Sequence, residues 1–207
     1  VAAPKATPAA AKWRIDTKAI GFPLKCPFTH FTTRGSVNEV FGNYVLRAAT
    51  PADIPQIIKL MRDMAEFEKL LDQFQATPEL VYASLFTEHP AAHALVITPK
   101  DEPDQLVAYI FWFHNYSTFR AKRGLYLEDI YIDPAHRGQG LGSLVLKQLA
   151  KKAIELDCAR FEWVVLDWNQ NAIDFYEHHG AKVLQEWRIV RLENEALLNL
   201  AQSSTTP

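Results

Sequence analysis

The feature that most limits what this chain can fold into is a glycine-rich segment, RGQGLG at 137–142. It follows an apolar run that ends at Asp133-Pro134 and precedes apolar residues at helical spacing, so we expect a strand, a tight turn and a helix. Glycines let backbone N–H groups approach an anion closely, and a helix N-terminus adds positive potential. Arg137 adds a permanent charge. Ser143 stands where a dinucleotide fingerprint has glycine, and no P-loop lysine follows, so the segment is either a tight turn or a diphosphate cradle of another kind.

Hydrophobic periodicity around this segment predicts a mixed α/β fold. We expect strands over 44–49, 93–98, 105–114, 125–133, 161–166 and 183–192, and helices over 51–70, 77–86, 140–156, 169–179 and 193–201. Helix starts are marked by Thr50-Pro51 and Thr77-Pro78, because a threonine N-cap before proline favours helix initiation. We therefore predict a single α/β domain over 43–202, with an N-terminal extension over 1–42 and a tail over 203–207.

Composition narrows the class of protein. A length of 207 residues with 48 % hydrophobic and 22 % charged residues suits one globular domain. The net charge of −2 disfavours a general nucleic-acid binder, and no apolar run approaches the ~18 residues of a membrane span. Cys26 and Cys158 form no C-x-x-C pair, so we expect two reduced thiols in an intracellular protein and no zinc site.

The N-terminal extension is basic and acid-poor, with Asp16 as its only acid up to Asn38. Such segments are typical of organelle import. Either a mature extension after transit-peptide cleavage or an added expression sequence would explain it. We expect a mitochondrial or plastid location in the first case and a cytoplasmic one otherwise. Its aromatic residues indicate packing on a partner: Trp13, Phe22, Phe28 and Phe31.

Two further patterns carry polar groups that chemistry could use. Asn169 begins a predicted helix and lies seven residues before Tyr176, on the same helix face. Asn169 either caps the helix or binds a ligand amide, and Tyr176 is either a core aromatic or a phenol beside that ligand. Glu128 and Asp129 lie within an apolar strand, so we expect them on opposite faces. At least one of them then faces a covered side of the sheet or a cleft, where burial raises the pKa of its carboxyl. That carboxylate is either a catalytic base or a salt-bridged structural group.

These motifs resemble the GCN5-related N-acetyltransferase (GNAT) superfamily, through R-x-x-G-x-G at 137–142 and N-x-x-A-x-x-x-Y at 169–176. Four more segments resemble its diamine acetyltransferase branch, which acts on spermidine and spermine, thialysine or, in plants, ornithine. They are EFEKL at 66–70, YST at 116–118, YLEDIY at 126–131 and LDWNQ at 166–170. The resemblance covers about 44–192 and leaves out the N-terminal extension. It implies a splayed mixed sheet flanked by helices.

The resemblance also implies acetyl-CoA as cofactor and a role for each matching residue. The pantetheine arm is expected on the backbone of Ile130, Tyr131 and Ile132. The diphosphate is expected on Arg137, Gly138, Gln139, Gly140, Leu141, Gly142 and Ser143. Further cofactor contacts are expected from Asn169, Gln170, Asn171, Ala172 and Tyr176. Tyr176 would protonate the leaving thiolate, and Glu128 would act through water as the base. The amine pocket is expected to include Phe67, Glu68, Glu128, Glu186 and Trp187.

The function expected on this basis is acetyl transfer to a primary amine of a small diamine or basic amino acid, by direct attack in a ternary complex. Polyamine-specific relatives carry an acid in the loop before the Glu128 strand, whereas 116–123 here has no acid and three cations. This favours thialysine, lysine or ornithine over spermine. The alternatives are acetylation of a protein lysine or N-terminus, and an accessory GNAT-fold subunit of a larger assembly.

The same resemblance predicts a homodimer joined through C-terminal strands, which the N-terminal extension could enlarge. No nucleic-acid partner, membrane span or metal is expected. His178 and His179 end a predicted helix, and we expect them to interact with the helix dipole and solvent.

Overall fold

The fold is that of a computed structural model, which describes residues 38–203. The predictions about Cys26 and the aromatic residues of the N-terminal extension lie outside these residues. One six-stranded sheet runs in the order β1 (Glu39–Phe41), β2 (Tyr44–Ala48), β3 (His93–Pro99), β4 (Ala108–Ser117), β5 (Lys122–Ile132), β6 (Phe161–Glu162). Neighbouring strands are antiparallel except β5 and β6, which are parallel. The predicted mixed α/β sheet is confirmed, with β1 as an unpredicted addition.

Helices cover both faces of the sheet. On one face lie α1 (Ile54–Phe67) and α2 (Pro78–Leu85), and on the other α3 (Leu141–Glu155) and α4 (Gln170–His178). The core under α3 includes the fully buried Leu125, Val145 and Leu149, and the core under α1 includes Ile57 and Val96. Because β4 is covered on both sides, successive residues that point to opposite faces, such as Tyr109 and Ile110, are both buried.

The sheet opens between β5 and β6. The two strands pair only at Leu125–Phe161 and Tyr126–Glu162, although the sequence predicts a strand as far as residue 166. After Glu162 the chain leaves the sheet and continues to α4. The carboxyl half of β5, from Leu127 to Ile132, therefore has no strand partner on that side among the described residues. Its backbone N–H and C=O groups on that edge are available to a ligand.

The prediction of a strand over 183–192 is wrong for this chain: the segment is irregular, with one turn. Its many apolar and β-branched residues favour a strand, but the segment pairs with no strand of the described chain. The side chains are accordingly exposed, with Trp187 at 69 % and Val190 at 91 %. The terminal helix is confirmed as α5 (Asn194–Gln202), and it also exposes leucines.

Candidate active site

A cavity of about 520 Å³ lies among the end of β5, the start of α3 and α4. β5 contributes Ile130, Tyr131 and Ile132, and the turn and first helical residues contribute Arg137 through Ser143 except Gln139. From α1 come Met64 and Phe67. The remaining lining residues are His136, Asn169, Asn171, Ala172, Phe175 and Tyr176. Residues from three separate sequence motifs thus meet at one cavity.

The glycines of the turn line one side of this cavity. Gly138 and Gly140 have φ angles of +74° and +81°, a left-handed conformation that favours glycine. Gly140 is the N-cap of α3, and a Cβ there would lie 3.3 Å from the Phe41 ring. A Cβ on Gly138 would meet nothing within 4 Å. The backbone at Gly138 therefore faces open space, where an anion can approach it closely.

Arg137 is held at the end of β5. Its Nε donates a hydrogen bond to the carbonyl oxygen of Ile132 at 2.9 Å. Its guanidinium carbon lies 5.5 Å from the ring centroids of both Phe67 and Tyr131, within the range of cation–π attraction. These contacts fix a positive charge at the cavity beside the glycine turn.

Three polar residues that we expected to contact the cofactor have side chains that hydrogen-bond to other groups of the protein. Gln139 accepts a hydrogen bond from the Tyr44 hydroxyl at 3.0 Å, and Gln170 donates to Asp174 at 2.6 Å. Neither lines the cavity. The Asn169 side chain caps α4 by accepting from the backbone N–H of Ala172 at 3.3 Å, yet Asn169 still lines the cavity. Of the two alternatives for the Asn169 side chain, helix cap or ligand contact, the structure therefore shows the helix cap.

Tyr176 lies on α4 with its ring in contact with those of Trp163 and Phe175. Burial raises the pKa of its phenol above the ordinary value of 10.0. The phenol is therefore protonated at neutral pH and can donate a proton into the cavity that it lines.

Glu128 is the extra residue of a β-bulge in β5. Asp129 pairs with Phe111 and Leu127 with Trp112, so Glu128 has no opposite residue on β4 and the strict alternation that we expected is interrupted. Bulges often lie next to active sites, where they redirect a side chain. Glu128 is exposed and Asp129 is half-buried, and neither of them lines the cavity. Burial, together with the nearby charges of Glu128 and Glu68, raises the pKa of Asp129 to about 7. One of the two carboxylates does have the raised pKa that the sequence predicts.

The predicted amine-pocket residues divide into two groups. Phe67 lines the cavity and Glu68 follows it directly at the C-cap of α1, where burial raises the pKa of the Glu68 carboxyl. Glu186 and Trp187 lie in the irregular segment after α4, exposed and away from the cavity lining. Three further residues line the cavity without having been predicted for the site: Met64 and His136, which lie outside the motifs, and Phe175, which occupies a variable position of the motif at 169–176.

His179 corrects another expectation. Its Nδ1 lies 2.8 Å from the carbonyl oxygen of Phe175, and its Nε2 lies 2.9 Å from the hydroxyl oxygen of Ser143. It therefore contacts the first turn of α3, rather than only the helix dipole and solvent. No local pattern could reveal this contact, since the two residues are 36 positions apart.

Other kinds of site receive little support from the described residues. Cys158 is a free, half-buried thiol whose pKa is raised by burial, so it is a poor nucleophile. Between residues 38 and 203, no three His, Cys, Asp or Glu side chains are grouped as metal ligands. None of the helices in that range is both long and apolar enough to cross a bilayer.

Comparison with known proteins identifies the class of enzyme. An L-ornithine N5-acetyltransferase from Arabidopsis thaliana is 35 % identical, over 73 % of this chain and 85 % of that protein. A thialysine N-epsilon-acetyltransferase from Sus scrofa is 39 % identical, over 76 % of this chain and 96 % of that protein. The protein is thus an acetyl-CoA-dependent N-acetyltransferase, and the predicted resemblance to the diamine acetyltransferase branch is confirmed.

The family is equally clear. Residues 56–181 match the Acetyltransferase (GNAT) family, and the chain belongs to it. An integron cassette protein from V. cholerae has the same fold, with a TM-score of 0.64 over 79 % of this chain and 100 % of that one, at 22 % identity. Proteins of this family use acetyl-CoA as co-substrate. The open backbone at Gly138, the fixed charge of Arg137 and the unpaired edge of β5 fit such a ligand.

Proposed function

We propose that this enzyme transfers an acetyl group from acetyl-CoA to the side-chain amine of a small basic amino acid or diamine, by direct attack in a ternary complex. The observation that carries the proposal is the pair Glu128 and Asp129 at the bulge of β5: burial, and then the charges of Glu128 and of Glu68 at the end of α1, raise the pKa of Asp129 to about 7. Such a group attracts an ammonium ion and can accept its proton. The thialysine and ornithine named for the two relatives are amines of this kind.

In this proposal the cofactor follows the open edge of β5 toward α3. The backbone of Ile130 to Ile132 holds the pantetheine arm through strand-like hydrogen bonds on the edge that β6 leaves unpaired. Arg137 and the N-terminus of α3 hold the diphosphate, because fixed charge and free N–H groups favour an anion. Residues 169–172 extend the contact along α4. The support for this placement is that most of these residues line one cavity.

The acceptor amine has to lose a proton before it attacks. An alkyl ammonium has a pKa of ~10.4, so presenting the neutral amine at pH 7 costs about 4.6 kcal/mol. We assign proton removal to Glu128, acting through water, with Asp129 as a second acceptor. A base with a pKa near the working pH is the most effective one, and Asp129 meets that condition.

Departure of coenzyme A requires a proton donor for its thiolate. Tyr176 lines the cavity with a phenol whose pKa burial raises, so it carries its proton at neutral pH. We assign it as the general acid. No enzyme nucleophile is needed when the amine attacks the thioester directly, which agrees with the raised pKa of the only cysteine among the described residues.

We base the proposed acceptor class on the charges of the β4–β5 hairpin. Its tip, residues 118–121, includes the exposed Arg120, and Lys122 and Arg123 follow in β5. Lys122 pairs with Asp157 at 2.6 Å. A cationic hairpin repels a long polyamine and favours an acceptor with an α-carboxylate, since opposite charges across a binding surface set specificity. This supports lysine-like and ornithine-like acceptors over spermine.

We further propose that the enzyme is a homodimer. The apolar segment 183–192 and α5 expose Trp187, Val190 and Leu198 at 69 %, 91 % and 58 %. Large apolar side chains exposed in this number over one stretch of chain favour an interface. A strand from a second copy would also complete the hydrogen bonds that the irregular segment lacks, as the resemblance to the diamine acetyltransferases implies.

Identification of the reaction product tests the proposed reaction. Incubation with acetyl-CoA and lysine, followed by NMR of the product, should show acetylation of the side-chain nitrogen and release of one free thiol per acetyl group. The Tyr176→Phe variant, run in parallel, controls for acetylation without enzyme. Acetylation of the α-amine instead would contradict the proposed orientation of the acceptor.

A further inference from the structure

A pair of polar side chains connects the end of α4 to the first turn of α3. The Nε2 of His179 lies 2.9 Å from the hydroxyl oxygen of Ser143. Ser143 lines the cavity at the side where we place the diphosphate, whereas His179 is exposed to solvent and does not line the cavity. His179 therefore contacts the cavity lining through Ser143 and Phe175, and of these two only Ser143 offers a side-chain hydrogen-bonding group.

The direction of each hydrogen bond in this pair follows from the second contact of the imidazole. The Nδ1 of His179 lies 2.8 Å from the carbonyl oxygen of Phe175, which can only accept, so Nδ1 carries a hydrogen. In the neutral ring Nε2 is then an acceptor, and the Ser143 hydroxyl must donate to it. The hydroxyl proton consequently points away from the cavity, and only oxygen lone pairs remain for a ligand.

Protonation of His179 reverses the second bond. The imidazolium carries hydrogens on both nitrogens, so Nε2 donates to the Ser143 oxygen and the Ser143 hydroxyl hydrogen becomes free to turn toward the cavity. We propose that His179 is a positioning residue whose protonation lets Ser143 donate a hydrogen bond to the diphosphate of acetyl-CoA. This inference rests on the proposed placement of the diphosphate beside α3.

Other ionisable groups lie near the pair and must be separated from it. On α4 the ring of His178 is 5.5 Å from that of His179. On α3 the next ionisable residue after Ser143 is Lys147, one turn further on. His136 lines the cavity and hydrogen-bonds to the Tyr44 hydroxyl at 2.9 Å. The proposal concerns only the component of the pH dependence that is lost when Ser143 is replaced.

The expected consequence is tighter diphosphate binding at lower pH. Because His179 is exposed, solvent screening limits the gain, and we expect about a fivefold change in affinity between pH 8 and pH 6. The probe is dephospho-CoA, which keeps the diphosphate but lacks the 3′-phosphate monoester. That monoester titrates near pH 6 and would add a pH dependence of its own.

Calorimetry with dephospho-CoA at pH 6 and pH 8 tests the inference in the full chain. Ser143→Ala should weaken binding at pH 6 and have little effect at pH 8, where the parent hydroxyl already donates to His179. His179→Phe keeps the ring contact with Phe175, 4.5 Å between centroids, but removes both nitrogens. It should flatten the pH profile, because the Ser143 hydroxyl is then free to donate to the diphosphate at both pH values, so the affinity at pH 8 should rise toward the value at pH 6. His178→Gln is the matched control and should keep the parent profile.

A purely structural role gives a different result. If Ser143→Ala or His179→Phe weakened binding by the same factor at both pH values, the inference would be overturned. If His179→Phe does not fold, the Ser143→Ala profile alone decides. Failure of the parent to bind dephospho-CoA or acetyl-CoA at either pH would instead contradict the proposed placement of the cofactor, so the two ideas fail in distinguishable ways. NMR adds a second readout, because linkage requires bound dephospho-CoA to increase the fraction of His179 that is protonated at a given pH.

Discussion

The ring of Tyr176 packs against the indole of Trp163, with ring centroids 5.0 Å apart and planes inclined at 60°. Trp163 is the first residue after β6, where the chain leaves the sheet and the gap beside β5 begins. Trp163 therefore lies where the gap in the sheet begins and also holds the ring of Tyr176, which we assign as the general acid. A proton donor held by aromatic packing is positioned without a hydrogen bond that would compete for its proton.

Replacing Tyr176 by Phe separates binding from chemistry. The ring packing is kept and the donor is lost, so acetyl-CoA affinity should be unchanged while kcat falls by roughly 10²–10⁴-fold. Raising the pH should not restore activity, since hydroxide cannot donate a proton to a thiolate. Steady-state kinetics from pH 6 to 10 measure this, and a parental kcat in the variant would contradict the assignment.

Glu128→Gln should give the opposite pH behaviour. The variant keeps the side-chain shape but loses the carboxylate that attracts the ammonium and removes its proton. Activity should fall at pH 7 and recover in part as the pH approaches the ~10.4 of the amine, because neutral amine is then supplied by solvent. Superimposable pH–rate profiles for this variant and Tyr176→Phe would show that the two residues do not have separate roles.

The charged form of Asp129 should lower the free energy of unfolding, although we expect it to serve the reaction. Its folded-state pKa of about 7 lies above the ordinary 3.8, so its contribution to stability is full below about pH 4 and is lost as pH rises through 7. Asp129→Asn removes this penalty and should raise the free energy of unfolding at pH 8 by on the order of 2 kcal/mol, a few degrees in Tm. The gain should shrink at pH 5, and activity should fall. Equal gains at both pH values in thermal denaturation would refute the buried charge as its cause.

Cofactor affinity should depend on Arg137. Arg137→Gln loses the bond to Ile132, the contacts with two rings and the charge, so acetyl-CoA should bind roughly tenfold to a hundredfold more weakly. Arg62→Gln is the matched control, because Arg62 also lies over a ring, that of Phe74 at 4.9 Å, but does not line the cavity. Calorimetry should show a loss only for Arg137. Gly140→Val is a poorer test, because a Cβ at Gly140 would already crowd Phe41.

The dimer proposal has its own test. Val190 is 91 % exposed, so Val190→Glu should leave the fold of the single chain intact and disrupt an apolar interface. Light scattering at micromolar concentration should give a dimer for the parent and a monomer for the variant. A monomeric parent would contradict the proposal.

The order of elements from β2 to α4 could be predicted from the sequence because its signals are local. Thr50-Pro51 and Thr77-Pro78 begin helical segments, as expected. The glycine turn was also recognisable, since positive φ at Gly138 and Gly140 requires that residue type. The contacts of His179 and the bulge at Glu128 were not, because they depend on which distant segments meet. The segment 183–192 is the opposite case. Its composition is that of a strand, but it hydrogen-bonds to no strand of the described chain and is irregular.

The central claim, acetyl transfer to a small basic amino acid, is tested most directly by an acceptor screen with radiolabelled acetyl-CoA. Spermidine, putrescine, ornithine, lysine and thialysine are compared by kcat/KM under the same conditions. We predict transfer to the three amino acids with higher kcat/KM than to spermidine, and loss of transfer in Tyr176→Phe. A preference for spermidine would contradict the acceptor class that we infer from the cationic hairpin. Absence of transfer to all five amines, by an enzyme that binds acetyl-CoA, would contradict the proposed function itself.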